Sequence, residues 1–250
     1  MRFKFLDLVL FILLFIFVAA FPVNLITSDP AYQLLIQIGL RLLILAYYIY
    51  LIVKNHIKIF KIANIRNALL CLPFAIIGLS NIFAALAEGG FTFNPLDGGY
   101  ITLIIIYHLI SVSIEEIVFR VFIHHALINT TSTKRIFASA GIFALIHLVN
   151  LANNFTSISG LIIVLEQVLY TFVLGLLLGL LYEYSHSLIA CIGLHFSFNF
   201  FNTILVQILG AYYSDISYYV SAIICGAVVI IYMAIIWIFI FKRPEKYYRN

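Results

Sequence analysis

The chain has 250 residues, of which 64% are hydrophobic and only 10% charged, and its mean hydropathy is +1.14. Soluble domains run nearer to about 45–50% apolar and about 25% charged, so this composition excludes a soluble domain, a disordered chain and a disulfide scaffold. The net charge of +4 arises from 14 basic and 10 acidic residues, a set too sparse to form a nucleic-acid surface, and no nucleic-acid partner is expected. Cys71, Cys191 and Cys225 all lie in apolar runs, odd in number and without a CxxC pair, so neither a disulfide framework nor a thiolate metal site is indicated.

Continuous apolar length defines eight stretches, at roughly 5–26, 31–53, 67–87, 100–127, 136–153, 160–182, 187–209 and 217–241. They do not alternate and are much longer than the ~10 residues of a barrel strand. The expected fold is therefore all-α: a polytopic membrane helix bundle of about eight transmembrane helices, forming a single membrane domain over 1–250. The first stretch has an alternative. Arg2 and Lys4 before an apolar core that ends near Val18-Ala19-Ala20 resemble a signal peptide. Asp7 and the length of the stretch favour a span.

Basic residues set the orientation. Arg2 and Lys4 precede span one. Lys54, Lys58, Lys61 and Arg66 follow span two, in a loop expected to touch anionic headgroups. Lys134 and Arg135 follow span four, and Lys242, Arg243, Lys246 and Arg249 form the tail. With eight spans all of these share one side, while Asp29, Glu88, Asp97 and Asp215 occupy the other. The positive-inside rule then makes both termini cytoplasmic.

Besides Asp7 near the start of span one, five charges fall inside spans: Arg41, Glu115, Glu116, Arg120 and Glu166. A charge at the centre of a span costs about 2.5–3.5 kcal/mol on insertion scales. Such groups face a bundle interior or a wet cavity, and a functional site is the default expectation. Glu116 and Arg120 are four apart, in the favourable order for a helical ion pair. Glu115, about 100° round the helix, is free to face a cavity. His147 is in span five, and His195 and Asn199 share a face of span seven. At 1.5 Å per residue, Glu115, His147 and His195 lie roughly 18, 17 and 12 Å below the cytoplasmic surface. Three separate spans thus bring a carboxylate, two imidazoles and an amide to similar depth. A helix-packing charge cluster is the plainer reading; the shared depth favours a hydrated intramembrane site.

The same residues form a recognisable set. EEIVFR at 115–120 resembles an EExxxR motif, FALIH at 143–147 an FxxxH motif and HFSFN at 195–199 an HxxxN motif. Together, over about 100–205, they resemble the CPBP family, also called Abi. It comprises type II CAAX prenyl proteases, related bacterial intramembrane proteases and bacteriocin self-immunity proteins. The resemblance implies peptide-bond hydrolysis at the membrane, with 100–205 as catalytic core. It implies that Glu115 activates water with help from His147. Glu116 and Arg120 would complete the charge network, and His195 and Asn199 would stabilise the oxyanion. Amide hydrolysis needs such a base and such preorganised donors.

Family members are often called metalloproteases, and Glu115, His147 and His195 form a candidate zinc set. The chain lacks HExxH, and the same residues serve equally as a metal-free glutamate site. Glu166 is a candidate partner for Arg41, and His124 and His125 are assigned to the cytoplasmic interface. Cys191, four residues before His195, reads as packing.

The expected partners are a membrane-associated protein or peptide substrate and the lipid bilayer. The main alternative is a bacteriocin-immunity or regulatory protein that acts by binding. A transporter is disfavoured by the absence of paired broken helices. Abundant Ile, Phe, Tyr and Asn point to an AT-rich bacterial genome and a multi-pass protein of the cell membrane.

The topology has a direct test. Engineered cysteines at Lys58 and Lys134 should resist a membrane-impermeant thiol reagent in intact cells, and one at Asp97 should react. Labelling of 58 or 134 from outside would overturn the orientation.

Overall fold

The computed structural model describes residues 5–57, 79–92, 96–151 and 158–212, together with positions 223, 227, 230, 231 and 234. Most of the basic loop 54–66, the first part of the third expected span, nearly all of the eighth and the basic tail lie outside the described residues.

The described chain is a helix bundle. Helix α1 (Phe5–Ala19) leads through a 3-10 turn to α2 (Pro30–Lys54). A short α3 (Ser80–Glu88) precedes α4, which runs over Gly98–Ala126. Helix α5 (Ser132–Ile146) tightens into a 3-10 turn at His147–Asn150. Helix α6 (Ile158–Ser185) is followed by α7 (Leu188–Leu209). Among the described residues, five of these segments are long and apolar enough to cross a membrane. Their surface is apolar and their charges are inside: Leu43 is 70% exposed, whereas Glu116 and Arg120 are 0% exposed. That inversion fits lipid as the solvent, and the fold is an all-α membrane helix bundle.

Local sequence sets the helix ends. Asp29 caps α2 by accepting from the Ala31 and Tyr32 amides, with Pro30 at the first helical position. Asp97 caps α4 by accepting from Gly99 and Tyr100. Thr131 and Ser187 do the same for α5 and α7. Helix α1 is shorter than the stretch 5–26. Its apolar run continues, but Pro22 lacks an amide hydrogen and restricts Phe21 to extended geometry, so the helix stops at Ala19. Helix α1 is nonetheless part of the core: Phe11 packs on Tyr48 and Phe122, and Tyr48 donates to the Phe11 carbonyl at 2.8 Å.

Helices α4 to α7 run up and down. At one end β1 (Gly90–Phe91) pairs antiparallel with β2 (Ala211–Tyr212), and the Thr92 amide donates to the Gly210 carbonyl at 3.0 Å. Four crossings separate these two strands, so both lie on one side. At the other end Glu183 of α6 accepts from Arg135 of α5 at 2.5 and 3.0 Å and lies 3.4 Å from His124 of α4.

Helix α6 lies close against α5 because Gly175 and Gly179 form a GxxxG ridge. A Cβ at Gly175 would sit 2.9 Å from the Ala140 Cα, and one at Gly179 would sit 3.2 Å from an Ile136 methyl and 3.5 Å from Arg120 Nη1. Backbone cannot yield as a flexible side chain can. Gly175→Val should therefore push α5 off α6 and cost about 1–3 kcal/mol or more, the scale of overpacking. Thermal unfolding in detergent checks this; an unchanged midpoint would contradict the close approach.

Candidate active site

Two helices depart from regular α geometry at the motifs. After Glu116, α4 passes into a π segment, Ile117–Ile123, and after Asn199, α7 does the same over Phe200–Ile204. Wider π turns commonly mark functional sites. In α4 the π turn stacks Arg120 nearly over Glu116, and Arg120 Nε donates to Glu116 Oε2 at 3.0 Å. Arg120 Nη1 donates to Ser139 Oγ at 2.9 Å, and the Ser139 hydroxyl donates to the Phe119 carbonyl at 2.9 Å. The close α5–α6 contact places Ser139 beside this pair. Arg120 Nη2 is buried with no hydrogen-bond partner among the described residues. This costs stability and makes the pairing with Glu116 the main compensation for burying the guanidinium.

The second Glu116 oxygen reaches across to α7. Oε1 lies 2.8 Å from His195 Nδ1. A carboxylate accepts only, so Nδ1 is the donor and His195 is held with Nε2 outward. That nitrogen lies 3.7 Å from Glu115 Oε2. The two adjacent glutamates thus point to different work, one to a buried hub and one to open space.

The open space is a cavity of about 330 Å³, lined by Glu115, His147, His195 and Asn199. His147 Nδ1 lies 2.9 Å from the Phe143 carbonyl, which accepts its proton and leaves Nε2 as the unprotonated nitrogen of the neutral ring. Phe143 is buried and makes T-shaped contacts with both imidazoles, with centroid distances of 5.1 Å to His147 and 5.7 Å to His195. Among the described residues, no three His, Cys, Asp or Glu side chains converge as a metal-ligand group. The Glu115, His147 and His195 set has suitable donor chemistry but is not gathered for zinc in this arrangement.

The structure therefore brings Glu115, Glu116, Arg120 and His195 into one contact network, and sets His147 and Asn199 on the same cavity wall. Several neighbours were missed. Ser139 on Arg120 has no sequence signal beyond a polar residue in a span, whereas the GxxxG ridge that seats it is a readable one. His108, which lies outside the three motifs, also lines the cavity. Arg41 turns to Ser111, Tyr107 and Gln37, correcting its suggested pairing with Glu166, because these groups lie on its own turn or on the adjacent α4. Glu183, overlooked at the end of span six, holds His124 and Arg135. Cys191 is fully buried in packing, its Sγ 3.6 Å from the Leu178 carbonyl.

Comparison with known families agrees with the motifs. The family model described as "Type II CAAX prenyl endopeptidase Rce1-like" matches residues 97–201. The resemblance to the CPBP family is thus borne out over the segment that holds all three motifs and both glutamates. The matched segment takes in α4, α5, α6 and most of α7, four of the helices long and apolar enough to cross a membrane. No match is found among curated proteins or among solved structures.

The two carboxylates should separate by mutation. Glu116→Ala leaves Arg120 and His195 without their shared carboxylate and should cost about 3–5 kcal/mol, with loss of accumulation. Glu115→Gln should accumulate normally. Western blots of membranes read both, and equal loss would show that the roles are misassigned.

Proposed function

We propose that the chain is an intramembrane endopeptidase that hydrolyses a peptide bond of a membrane-associated protein or peptide with water activated by Glu115. The observation that carries this reading is the sharing of one cavity wall by Glu115, His147, His195 and Asn199, backed by the Glu116–Arg120 hub. The chemistry follows from those positions. Glu115 takes a proton from water as the oxygen attacks the scissile carbonyl. The tetrahedral intermediate's oxyanion accepts hydrogen bonds from the Asn199 amide and from His195 Nε2. That nitrogen donates only when the ring carries both protons, with the Glu116 carboxylate behind Nδ1 as its counter-charge. The proton then passes from Glu115 to the leaving nitrogen, with His147 Nε2 as a neighbouring acceptor. Collapse of the intermediate yields a new carboxyl and a new amine.

The wider reading keeps 1–250 as one membrane domain of eight spans with cytoplasmic termini and 100–205 as the catalytic core, in a bacterial cell membrane. The pairing of Gly90–Phe91 with Ala211–Tyr212 supports one part of it, the even number of crossings between those two segments. Because the candidate zinc ligands are not gathered, no step is routed through a metal; metal content is part of the test.

Purified protein in detergent, a cleavable transmembrane peptide and metal analysis provide that test. His195→Ala and Asn199→Ala should each lower turnover by about 10²–10³, the scale for one oxyanion donor. The double variant should fall short of the product, because both act on one charge. Full activity in chelator with no bound metal supports the metal-free form; stoichiometric zinc lost from both His147→Ala and His195→Ala overturns it. Unchanged cleavage in the Glu115, His147, His195 and Asn199 variants overturns the peptidase and favours action by partner binding.

A further inference from the structure

Arg41 lies on α2, outside the family match at 97–201. It is 11 residues from Pro30 and 13 from Lys54, so it sits about 17–20 Å from either helix end, near mid-membrane. Its side chain is buried at 6% exposure and lines the same cavity as Glu115. The guanidinium is held on several sides. Nε donates to Ser111 Oγ at 2.9 Å, Nη2 to the Tyr107 hydroxyl at 3.0 Å, and Nη1 to the Gln37 carbonyl at 3.3 Å and to Gln37 Oε1. Its Cζ lies 4.4 Å from the centre of the Tyr107 ring.

All of these acceptors are neutral. Arg120 and Arg135, by contrast, each hold a carboxylate directly, Glu116 at 3.0 Å and Glu183 at 2.5 Å. Four bonds fix the orientation of the Arg41 fork without neutralising it, and a guanidinium has a fifth N–H to offer. A buried cation in a membrane calls for a counter-charge, and the cavity is the open side. The remaining Nη2 N–H sits on an already oriented group, so it can donate a charge-assisted hydrogen bond to one carboxylate oxygen with little further loss of freedom.

We infer that Arg41 anchors a carboxylate of the substrate in the cavity, so that this site selects peptides carrying an anionic group beside the bond that Glu115 attacks. This rests on the peptidase reading above. The carboxylate has two possible sources, the peptide's C-terminus or an acidic side chain. A rival role for Arg41 is to serve Glu115 alone as a counter-charge across the cavity; that would change turnover equally for every peptide.

The test uses the full-length protein in detergent and three forms of one cleavable peptide: the free C-terminal acid, the C-terminal amide, and the amide with one Glu near its end. The wild type should show a KM for a carboxylate-bearing form about tenfold to a hundredfold below that of the plain amide, the scale of a charge-assisted hydrogen bond. Preference for the acid alone identifies the C-terminus; recovery by the Glu peptide identifies a side chain. Arg41→Gln should erase the preference, with Arg41→Lys retaining part of it. Equal KM for all three forms in the wild type would overturn the inference, as would an undiminished preference in Arg41→Gln. Equilibrium binding of the three peptides to Glu115→Gln protein reads the anchor without turnover. Carboxylate preference in binding with no cleavage by the wild type would sink the peptidase reading and leave the anchor standing; cleavage with no preference in either measurement would do the reverse.

Discussion

The side chain on which the site depends is the Glu116 carboxylate. One oxygen neutralises Arg120 four residues along α4, and the other orients His195 on α7. Arg120 in turn reaches Ser139 on α5. A single buried group therefore ties three helices together in a medium where an unpaired charge is expensive. It also frees its neighbour: because Glu116 satisfies the cation and the imidazole, Glu115 is left facing the cavity. The adjacency of the two glutamates is what allows one helix to carry both the hub and the carboxylate that faces the cavity.

Packing makes that hub possible. Gly175 and Gly179 let α6 approach α5 closely enough that Ile136, Ser139 and Ala140 form a tight seam beside Arg120. Phe143, one turn further on, packs against both imidazoles. Outside this core, the lipid-facing surface needs only to be apolar. The contrast explains why so few polar residues suffice in a chain with 10% charge: nearly all those within spans are engaged with one another or with the cavity.

Much of this was legible in the sequence. Apolar length alone marks the long helices, because lipid demands it, and the spacing of Glu116 and Arg120 announces their pairing. Shared depth in three spans marks Glu115, His147, His195 and Asn199 as candidates for one site. Other features were not legible. The His195–Glu116 bond joins residues 79 positions apart, and no local period encodes it. The environment of Arg41 required knowing that α2 packs on α4 and not beside Glu166. The early end of α1 was visible in Pro22 but outweighed by continuous hydrophobicity. Glu183 holds Arg135 and His124, partners 48 and 59 positions away in the chain, which only tertiary contact reveals.

The central claim is that Glu115 does chemistry while Glu116 holds the architecture. Single-turnover cleavage of a transmembrane peptide by purified Glu115→Gln protein measures it most directly, because the amide preserves shape and removes only the base. The account predicts a rate lowered by about 10²–10⁴, the contribution of a positioned general base, with the thermal midpoint and peptide affinity near those of the wild type. Cleavage at the wild-type rate by Glu115→Gln would contradict it.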